Sequence, residues 1–225
     1  MLYIVSTPIG NLEDITLRAI RILKEVDLIA AEDTRRARIL LNHYAIRTQL
    51  ISYYSYRETP QSEKLLAYLN EGKNIALISD SGTPGVSDAG FKIIKLAIEN
   101  NIQISHIPGP TALITSLILS GFSTHEFTFI GFLSNKTKRR KEELKLIKDE
   151  KRTLVIFESC HRLLESLKDI LDIFGDRNIA VIREATKLYE EIKRGRISEV
   201  IQHFSNKKIL GEISIVIERY NEKDN

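Results

Sequence analysis

The sequence predicts an α/β protein of two domains. Short apolar runs alternate with amphipathic helical patterns along the chain, which is typical of helices packed on β-sheets. The length of 225 residues exceeds what one domain of ~100–200 residues needs. Hydrophobic residues make up 43% and charged residues 28% of the chain, a balance that excludes a disordered or a collagen-like protein. We expect one α/β domain over residues 1–112 and a second over residues 113–225.

The first half is predicted to form a doubly wound, parallel sheet. Five short apolar runs bounded by turn residues are predicted strands, and four amphipathic segments between them are predicted helices. Because the strands are almost continuously apolar, helices must cover both faces of their sheet. The predicted strands are Leu2–Ser6, Leu28–Ala31, Gln49–Ser52, Ile75–Ser79 and Ile102–Ile107, and the predicted helices are Ile15–Glu25, Thr34–His43, Ser62–Glu71 and Phe91–Asn100.

The second half continues the alternation of strands and helices. Six apolar side chains from Leu163 to Phe174 fall at offsets 0, 1, 4, 7, 8 and 11, which is one face of a helix, and Gly175 stands where that helix should end. The tail Asn221–Asn225 is expected to fray. The other predicted elements are the strands Thr153–Phe157, Ile179–Arg183 and Ile213–Arg219 and the helix Ser198–Phe204.

Composition favours a cytoplasmic protein without a metal. The longest weakly polar stretch, Ala112–Phe122, is shorter than the ~20 residues that span a bilayer, so we expect no membrane helix. No basic segment precedes the first apolar run, so we expect no secretory signal. Cys160 is the only cysteine and cannot form an internal disulfide, and no Cys/His cluster has the spacing of a zinc site.

The positive charge is concentrated in the second half. Residues 1–113 hold 12 basic and 12 acidic side chains, whereas residues 114–225 hold 21 and 18. The excess centres on Lys136–Lys141, just after the composition changes near Leu133. Such a segment can contact nucleic-acid phosphates. It can equally be the solvated start of a helix, partly balanced by Glu142 and Glu143, and the sequence leaves both interpretations open.

Three loops rich in Gly, Pro and small polar residues follow predicted strands of the first half. Ligands bind beyond the carboxyl ends of strands in open α/β sheets, so these loops are candidate binding loops. The second loop is longer than the ~2–6 residues of an ordinary βα connection. Patterns for a dinucleotide fingerprint, a P-loop and a serine hydrolase elbow are absent from the sequence. The loops are Thr7–Asn11, Ser79–Asp88 and Pro108–Ala112.

Three charged clusters also follow predicted strands, and we expect them to converge on one cleft. Arginine forks suit phosphate groups, and carboxylates or a histidine can move a proton. Each cluster taken alone can instead be a surface ion pair or a helix cap, with Asp33 capping Thr34–His43. The clusters are Glu32–Arg36, Glu158–Arg162 and Arg183–Lys187.

Five segments in order resemble the tetrapyrrole methylase superfamily, the class III S-adenosylmethionine-dependent methyltransferases. More narrowly they resemble its ribosomal branch, the small-subunit rRNA 2′-O-ribose methyltransferases. The resemblance runs from Leu2 to about Glu218. That family often has proline where Ala89 stands and near Cys160, and these two departures put only local rigidity in doubt. The segments are Leu2–Leu12, Ala31–Arg35, Ser79–Gly85, His106–Pro110 and Arg183–Lys187.

The resemblance implies an S-adenosylmethionine-dependent homodimer with the cofactor in a cleft between two α/β domains. It implies 2′-O-methylation of a cytidine in the decoding region of 16S rRNA, within the small ribosomal subunit. A ribose hydroxyl would attack the sulfonium methyl group in line. The residues that the resemblance places at the cofactor are Pro8, Asp80, Gly82, Thr83, Val86, Gly109, Thr111, Ala112 and Phe157.

Candidates for proton transfer and RNA binding come from the charged clusters. We expect Glu158 to be the general base, because it follows a buried strand in a polar cluster, with Asp33 and His161 as further candidates. Phosphate contacts fix the register of a nucleic acid, and basic side chains in the same clusters suit them. These candidates are Arg35, Arg162, Arg183 and Lys187.

Two other functions remain open at this point. The first is methylation of a small tetrapyrrole, against which the basic segment Lys136–Lys141 and the segment Glu32–Arg35 argue. The second is a non-catalytic ribosome-binding module that has kept the fold. A failure to bind S-adenosylmethionine would favour the module.

Overall fold

The computed structural model describes residues 1–54 and 58–220. The chain divides into two compact units, Met1–Thr111 and Ala112–Asn225, and each contains one five-stranded sheet with helices. The expectation about the tail Asn221–Asn225 lies outside the described residues. Within the described part of the chain, none of the helices combines the length and the apolar character needed to cross a membrane.

All strands of the first sheet run parallel, as predicted. Their order is β3-β2-β4-β1-β5, and every neighbouring pair is parallel. The helix α3 begins four positions earlier than the predicted Ser62. The elements are β1 (Leu2–Val5), α1 (Leu17–Glu25), β2 (Leu28–Ala31), α2 (Thr34–His43), β3 (Gln49–Ser52), α3 (Glu58–Asn70), β4 (Ile75–Ile78), α4 (Phe91–Glu99) and β5 (Ile104–Ile107).

Helices cover both faces of this sheet because apolar residues occupy both sides of each central strand. In β2, Ile29 and Ala31 pack with α1 and α2, whereas Leu28 and Ala30 pack with α3 and α4. Side chains alternate between the two faces of a strand, so two adjacent apolar residues serve two different cores. The prediction of a doubly wound first half is therefore confirmed.

The second sheet is mixed, and its order is β6-β7-β10-β8-β9. Only the pair β6–β7 is parallel. Helices α6, α7 and α8 cover one face and α5 covers the other. The elements are α5 (Ala112–Ser120), β6 (Phe127–Phe132), α6 (Thr137–Ile147), β7 (Thr153–Ser159), α7 (Leu163–Phe174), β8 (Asn178–Arg183), β9 (Glu191–Arg196), α8 (Ile197–Ser205) and β10 (Glu212–Ile217).

The basic segment Lys136–Lys141 forms the start of α6, and part of it faces inward. Arg140 is buried, and its Nη2 lies 2.6 Å from Oδ2 of Asp169 on α7. Lys141 pairs with Asp172 at 2.8 Å. The interpretation of the whole segment as a phosphate-binding surface is therefore wrong for Arg140, which holds α6 against α7.

Replacing Asp169 with alanine should destabilise the second unit strongly. Breaking a buried ion pair costs ~3–5 kcal/mol because the remaining charge is left without a partner. Glu165 stays 3.7 Å from Arg140, so we expect the low end, about 3 kcal/mol. Denaturant unfolding followed by circular dichroism measures the loss. The control is Asp172, the exposed partner of Lys141. Asp172→Ala should cost less than ~1 kcal/mol, because exposed ion pairs contribute little. Equal losses for the two variants would contradict the buried-pair account.

Candidate active site

The loops after β1, β4 and β5 meet at the carboxyl edge of the first sheet, where these three strands are neighbours. The backbone of Thr7, after β1, exchanges two hydrogen bonds with the backbone of Gly82, after β4. Thr7 N donates to Gly82 O at 2.8 Å, and Gly82 N donates to Thr7 O at 3.1 Å. This antiparallel bridge fixes the long loop against the end of β1.

Ser6 joins all three loops through its hydroxyl group and its backbone. Its Oγ lies 2.8 Å from Oγ1 of Thr83 and 3.2 Å from Nε2 of His106, and its N–H donates to Ile107 O. Ser6 is buried, so these bonds are shielded from competing water. Neither Ser6 nor His106 is among the predicted site residues. The sequence signal that could have identified Ser6 is its polar side chain at the end of an apolar strand.

Gly109 lets the loop after β5 approach the end of β1. A Cβ added at Gly109 would lie 3.1 Å from Cβ of Ser6, which is closer than ordinary contacts allow. Gly82 has a φ of +74°, a backbone region that side chains with a Cβ rarely adopt. A side chain at Gly82 would therefore strain the backbone, and a side chain at Gly109 would require Ser6 to shift by a few tenths of an ångström.

The long loop after β4 closes on itself. Gly85 N donates to Ala89 O at 3.2 Å, and Val86 N donates to Thr83 O at 3.3 Å. Ala89 is buried, so the loop keeps a defined shape at this position without a proline. Val86 remains exposed. A loop with this many internal bonds is ordered before a ligand arrives, which lowers the entropy lost on binding.

The end of β2 is tied to the same loop through Asp80. The backbone N–H of Asp33 donates to Oδ1 of Asp80 at 2.8 Å, and Nη1 of Arg36 lies 3.5 Å from Oδ2 of Asp80. Asp33 caps α2 and accepts two side-chain hydrogen bonds from Arg35. These side-chain bonds, with the backbone N–H of Arg35, lower the pKa of Asp33 to about 2. The geometry therefore opposes Asp33 as a general base.

A half-open cavity of about 140 Å³ lies between the loop after β1, helix α2 and the end of β4. Leu12, Leu40 and Ile78 contribute apolar walls, and Arg36 and Asp80 contribute charge. The cavity also includes Pro8, one of the predicted cofactor residues, which is itself buried. It is smaller than the ~300–1,000 Å³ of pockets that enclose a drug-sized ligand, so it suits one ring or one end of a larger molecule.

Glu32 stands beside this cavity as a partly buried carboxyl group. Burial raises the pKa of Glu32, the negative charge of Asp80 raises it further, and Arg36 acts in the opposite direction. Glu32 belongs to a predicted charged cluster but has no predicted role of its own.

In the second unit, Glu158 holds Arg162 in place. The Glu158 side chain has no exposed surface, and its Oε1 lies 2.7 Å from Nη2 of Arg162. The backbone N–H of Ser159 and the hydroxyl of Ser166 also donate to the carboxylate. Because its acceptor positions are occupied and no substrate can reach it, the geometry opposes Glu158 as a general base. His161 is exposed.

Arg183 and Lys187 also have partners within the second unit. Arg183 donates to Glu191 at 3.0 Å and to two backbone carbonyls, those of Tyr189 and Leu210. Lys187 lies 2.8 Å from Glu184 and 3.1 Å from Glu212. Both predicted phosphate contacts are therefore already paired with carboxylates of the protein. They hold the turn between β8 and β9 against β10.

The remaining predicted residues lie at the unit boundary and on β7. Thr111 is the last residue of the first unit, and Ala112 begins α5 in the second. Phe157 on β7 is half-buried and contacts Phe129 and Phe132 edge to face, with ring centres 4.9 and 5.8 Å apart. Across residues 1–54 and 58–220, no group of three or more His, Cys, Asp or Glu side chains could hold a metal ion.

Comparison with known proteins identifies the family. The family model described as Tetrapyrrole (Corrin/Porphyrin) Methylases matches residues 1–201. A uroporphyrin-III C-methyltransferase from Thermus thermophilus, solved with S-adenyl homocysteine, superposes with a TM-score of 0.69 at 19% identity, covering 96% of each chain. A diphthine synthase superposes with a TM-score of 0.75 at 13% identity, covering 96% of this chain and 89% of its own. The chain belongs to the tetrapyrrole methylase family.

Within that family, the chain is similar to proteins named ribosomal RNA small subunit methyltransferase I. The relative from Thermotoga maritima is 48% identical over 96% of this chain and 97% of its own length. Those from Bacillus subtilis and Escherichia coli O157:H7 are 46% and 44% identical, over 100% and 96% of this chain and 77% of their own lengths. The resemblance drawn from the sequence motifs is therefore confirmed.

Replacing Glu32 with glutamine should stabilise the protein at neutral pH. The pKa of Glu32 is higher in the folded than in the unfolded protein, so ionising this carboxyl group lowers the free energy of unfolding. The penalty is absent below the unfolded pKa of ~4.3 and is complete above the folded pKa. We expect a higher Tm for Glu32→Gln at pH 7 and no difference near pH 4, measured by thermal unfolding. The exposed Glu63→Gln is the control; a gain for Glu32→Gln at both pH values would contradict the explanation.

Proposed function

We propose that this chain is an S-adenosylmethionine-dependent methyltransferase that modifies the RNA of the small ribosomal subunit. The acceptor is the ribose 2′-hydroxyl of a cytidine in the decoding region of 16S rRNA, and the enzyme works as a homodimer in the cytoplasm. Support comes from relatives with the rRNA methyltransferase name, 42–48% identical over nearly the whole chain. Their similarity covers both units, so the proposal concerns the whole described chain.

The single observation that carries the proposal is the joined set of three loops around Ser6. Gly82 and Gly109 let the three loops approach one another closely, and Thr83 is held beside them by Ser6. The backbone N–H and C=O groups of such closely spaced loops suit the polar ends of a nucleoside cofactor. The residues present therefore fit S-adenosylmethionine, with Gly82, Thr83, Val86, Gly109 and Thr111 as its contacts in the first unit.

Methyl transfer requires the protein mainly to align the two reacting groups. S-adenosylmethionine, when bound, supplies a methyl group that is already activated by its sulfonium centre. The chain's part is to hold the ribose hydroxyl in line with that group, and such positioning is worth up to ~7–11 kcal/mol. Asp33, with a pKa of about 2, and the enclosed Glu158 are unsuited to take up the hydroxyl proton. Of the predicted bases His161 alone stays exposed and can take up the proton; without it the proton passes to solvent and the reaction rests on orientation.

The basic side chains that remain exposed are the candidates for RNA binding. Of the four predicted phosphate contacts, Arg35 has the most exposed side chain, at 87%, although it also binds Asp33. Arg162, Arg183 and Lys187 are largely covered and paired. We therefore assign the first phosphate contact to Arg35 and a structural role to the other three.

Methyl transfer from isotope-labelled S-adenosylmethionine to small ribosomal subunits that lack the modification tests the function. Nucleosides from the digested RNA are separated by mass spectrometry, with free 16S rRNA as a second acceptor. We expect label in 2′-O-methylcytidine. An absence of label on RNA, with cofactor still bound, would refute the proposed acceptor and favour a small tetrapyrrole.

Replacing Gly109 with alanine should weaken S-adenosylmethionine binding about tenfold, which corresponds to ~1.4 kcal/mol. The added Cβ would press on Ser6 and displace the loop after β5. Isothermal titration calorimetry measures the affinity. Gly72→Ala is the control, because a Cβ there has no neighbour within 4 Å, although its φ of +86° makes the turn less stable. Equal losses of affinity in both variants would show that general destabilisation is responsible.

A further inference from the structure

The cavity beside α2 has features that the cofactor loops do not use. Its apolar walls include Leu40 of α2 and Ile78 at the end of β4. On the same face of α2, Ile39 also lines the cavity and is 64% exposed. An exposed isoleucine beside an apolar slot offers a flat ring a surface to pack on. The volume of about 140 Å³ suits one ring system.

The charged side of the cavity presents an acceptor next to a donor. Oδ1 of Asp80 already accepts the N–H of Asp33, whereas Oδ2 has a loose contact with Nη1 of Arg36 at 3.5 Å. That distance is too long for a good hydrogen bond. A ligand edge that carries an N–H donor beside an acceptor can therefore bind the two groups at once.

The Watson–Crick edge of cytosine has this pattern, with an exocyclic amino donor beside ring N3 and the O2 carbonyl. Carboxylates accept hydrogen bonds from cytosine N4, and arginine donates to base acceptors. Uracil presents a carbonyl at the position of the amino group, and that oxygen would face the carboxylate. The cavity therefore favours cytosine over uracil.

We propose that this cavity receives the base of the acceptor nucleotide, a cytosine, with Asp80 accepting from its amino group and Arg36 donating to its N3 and O2. The inference rests on the proposed function, since it names the base that the methylated ribose carries. Extruded bases are read through their Watson–Crick edge and packed between apolar side chains. Removing the nucleotide from its stack also exposes its ribose. Asp80 thereby recognises substrate, where the sequence resemblance had placed it at the cofactor.

The test compares wild type, Asp80→Asn and Asp172→Asn on subunits whose target position is cytidine or uridine. Asparagine keeps an oxygen for Asp33 N–H and can turn an amide donor toward uracil. We expect wild type to prefer cytidine at least tenfold in kcat/KM, and Asp80→Asn to lose or reverse that preference. Asp172→Asn, on the second unit, should leave the preference unchanged. An unchanged cytidine preference in Asp80→Asn would overturn the proposal.

Adenine also carries an amino group beside a ring nitrogen, so the cofactor itself could supply the same edge. Isothermal titration with S-adenosylmethionine separates the two ligands. We expect Asp80→Asn to bind it as wild type does. A large loss of cofactor affinity with no change in cytidine preference would place adenine in the cavity and overturn the proposal.

A binding measurement that does not depend on methyl transfer tests the cavity assignment separately from the proposed function. Cytidine and uridine 5′-monophosphates are titrated against the protein while NMR shifts of the Ile39 methyl groups are followed. Tighter binding of the cytidine nucleotide, abolished in Asp80→Asn and weakened in Arg36→Lys, supports the cavity assignment even if subunits are not methylated. Equal binding of the two nucleotides contradicts it. Absence of methylation alone refutes only the proposed function.

Discussion

The buried hydroxyl of Ser6 is the contact on which the candidate site depends. It stands at the end of the interior strand β1, between Thr83 of the long loop and His106 of β5. Because β4 and β5 flank β1 in the sheet, one side chain can reach both. The Thr7–Gly82 bridge adds a backbone link to the same place. The loops are therefore positioned by a rigid sheet, and their shape does not await a ligand.

Charged groups in both units serve mainly to position backbone and one another. Burial alone would raise the pKa of Glu191, but hydrogen bonds from Lys207, His203 and Arg183 outweigh it and lower the pKa to about 2. Glu158 and Arg162 form a similar enclosed pair. The Glu191 carboxylate therefore stays ionised and is a poor proton acceptor near neutral pH. This distribution of charge agrees with a reaction that depends on alignment of an already activated group.

The basic segment at the start of α6 shows how far a charge pattern can mislead. Its cations look alike in sequence, yet Arg140 is buried against Asp169, 29 residues away, while Lys136 is exposed. Which cation turns inward depends on the packing of α6 on α7. Candidate phosphate contacts must therefore be judged from the exposure and the pairing of each side chain in the folded protein.

The first sheet was accessible to sequence reasoning because its central strands are buried on both faces, so each must be a continuous apolar run. The glycine and proline loops were accessible as well, since their backbone geometry limits the residue types allowed. Strand β9 was missed because it is a mostly polar edge strand that exists through its pairing with β8. Helix α5 was missed because its apolar sequence was considered only as a possible membrane span. In the structure, its last two carbonyl groups accept hydrogen bonds from Arg194 of β9. Sequence alone thus determined the elements of the first sheet and the family, while the tertiary structure decided which charges are paired and which groups meet at Ser6. Those contacts join residues up to 100 positions apart, and no local pattern specifies their distance in space.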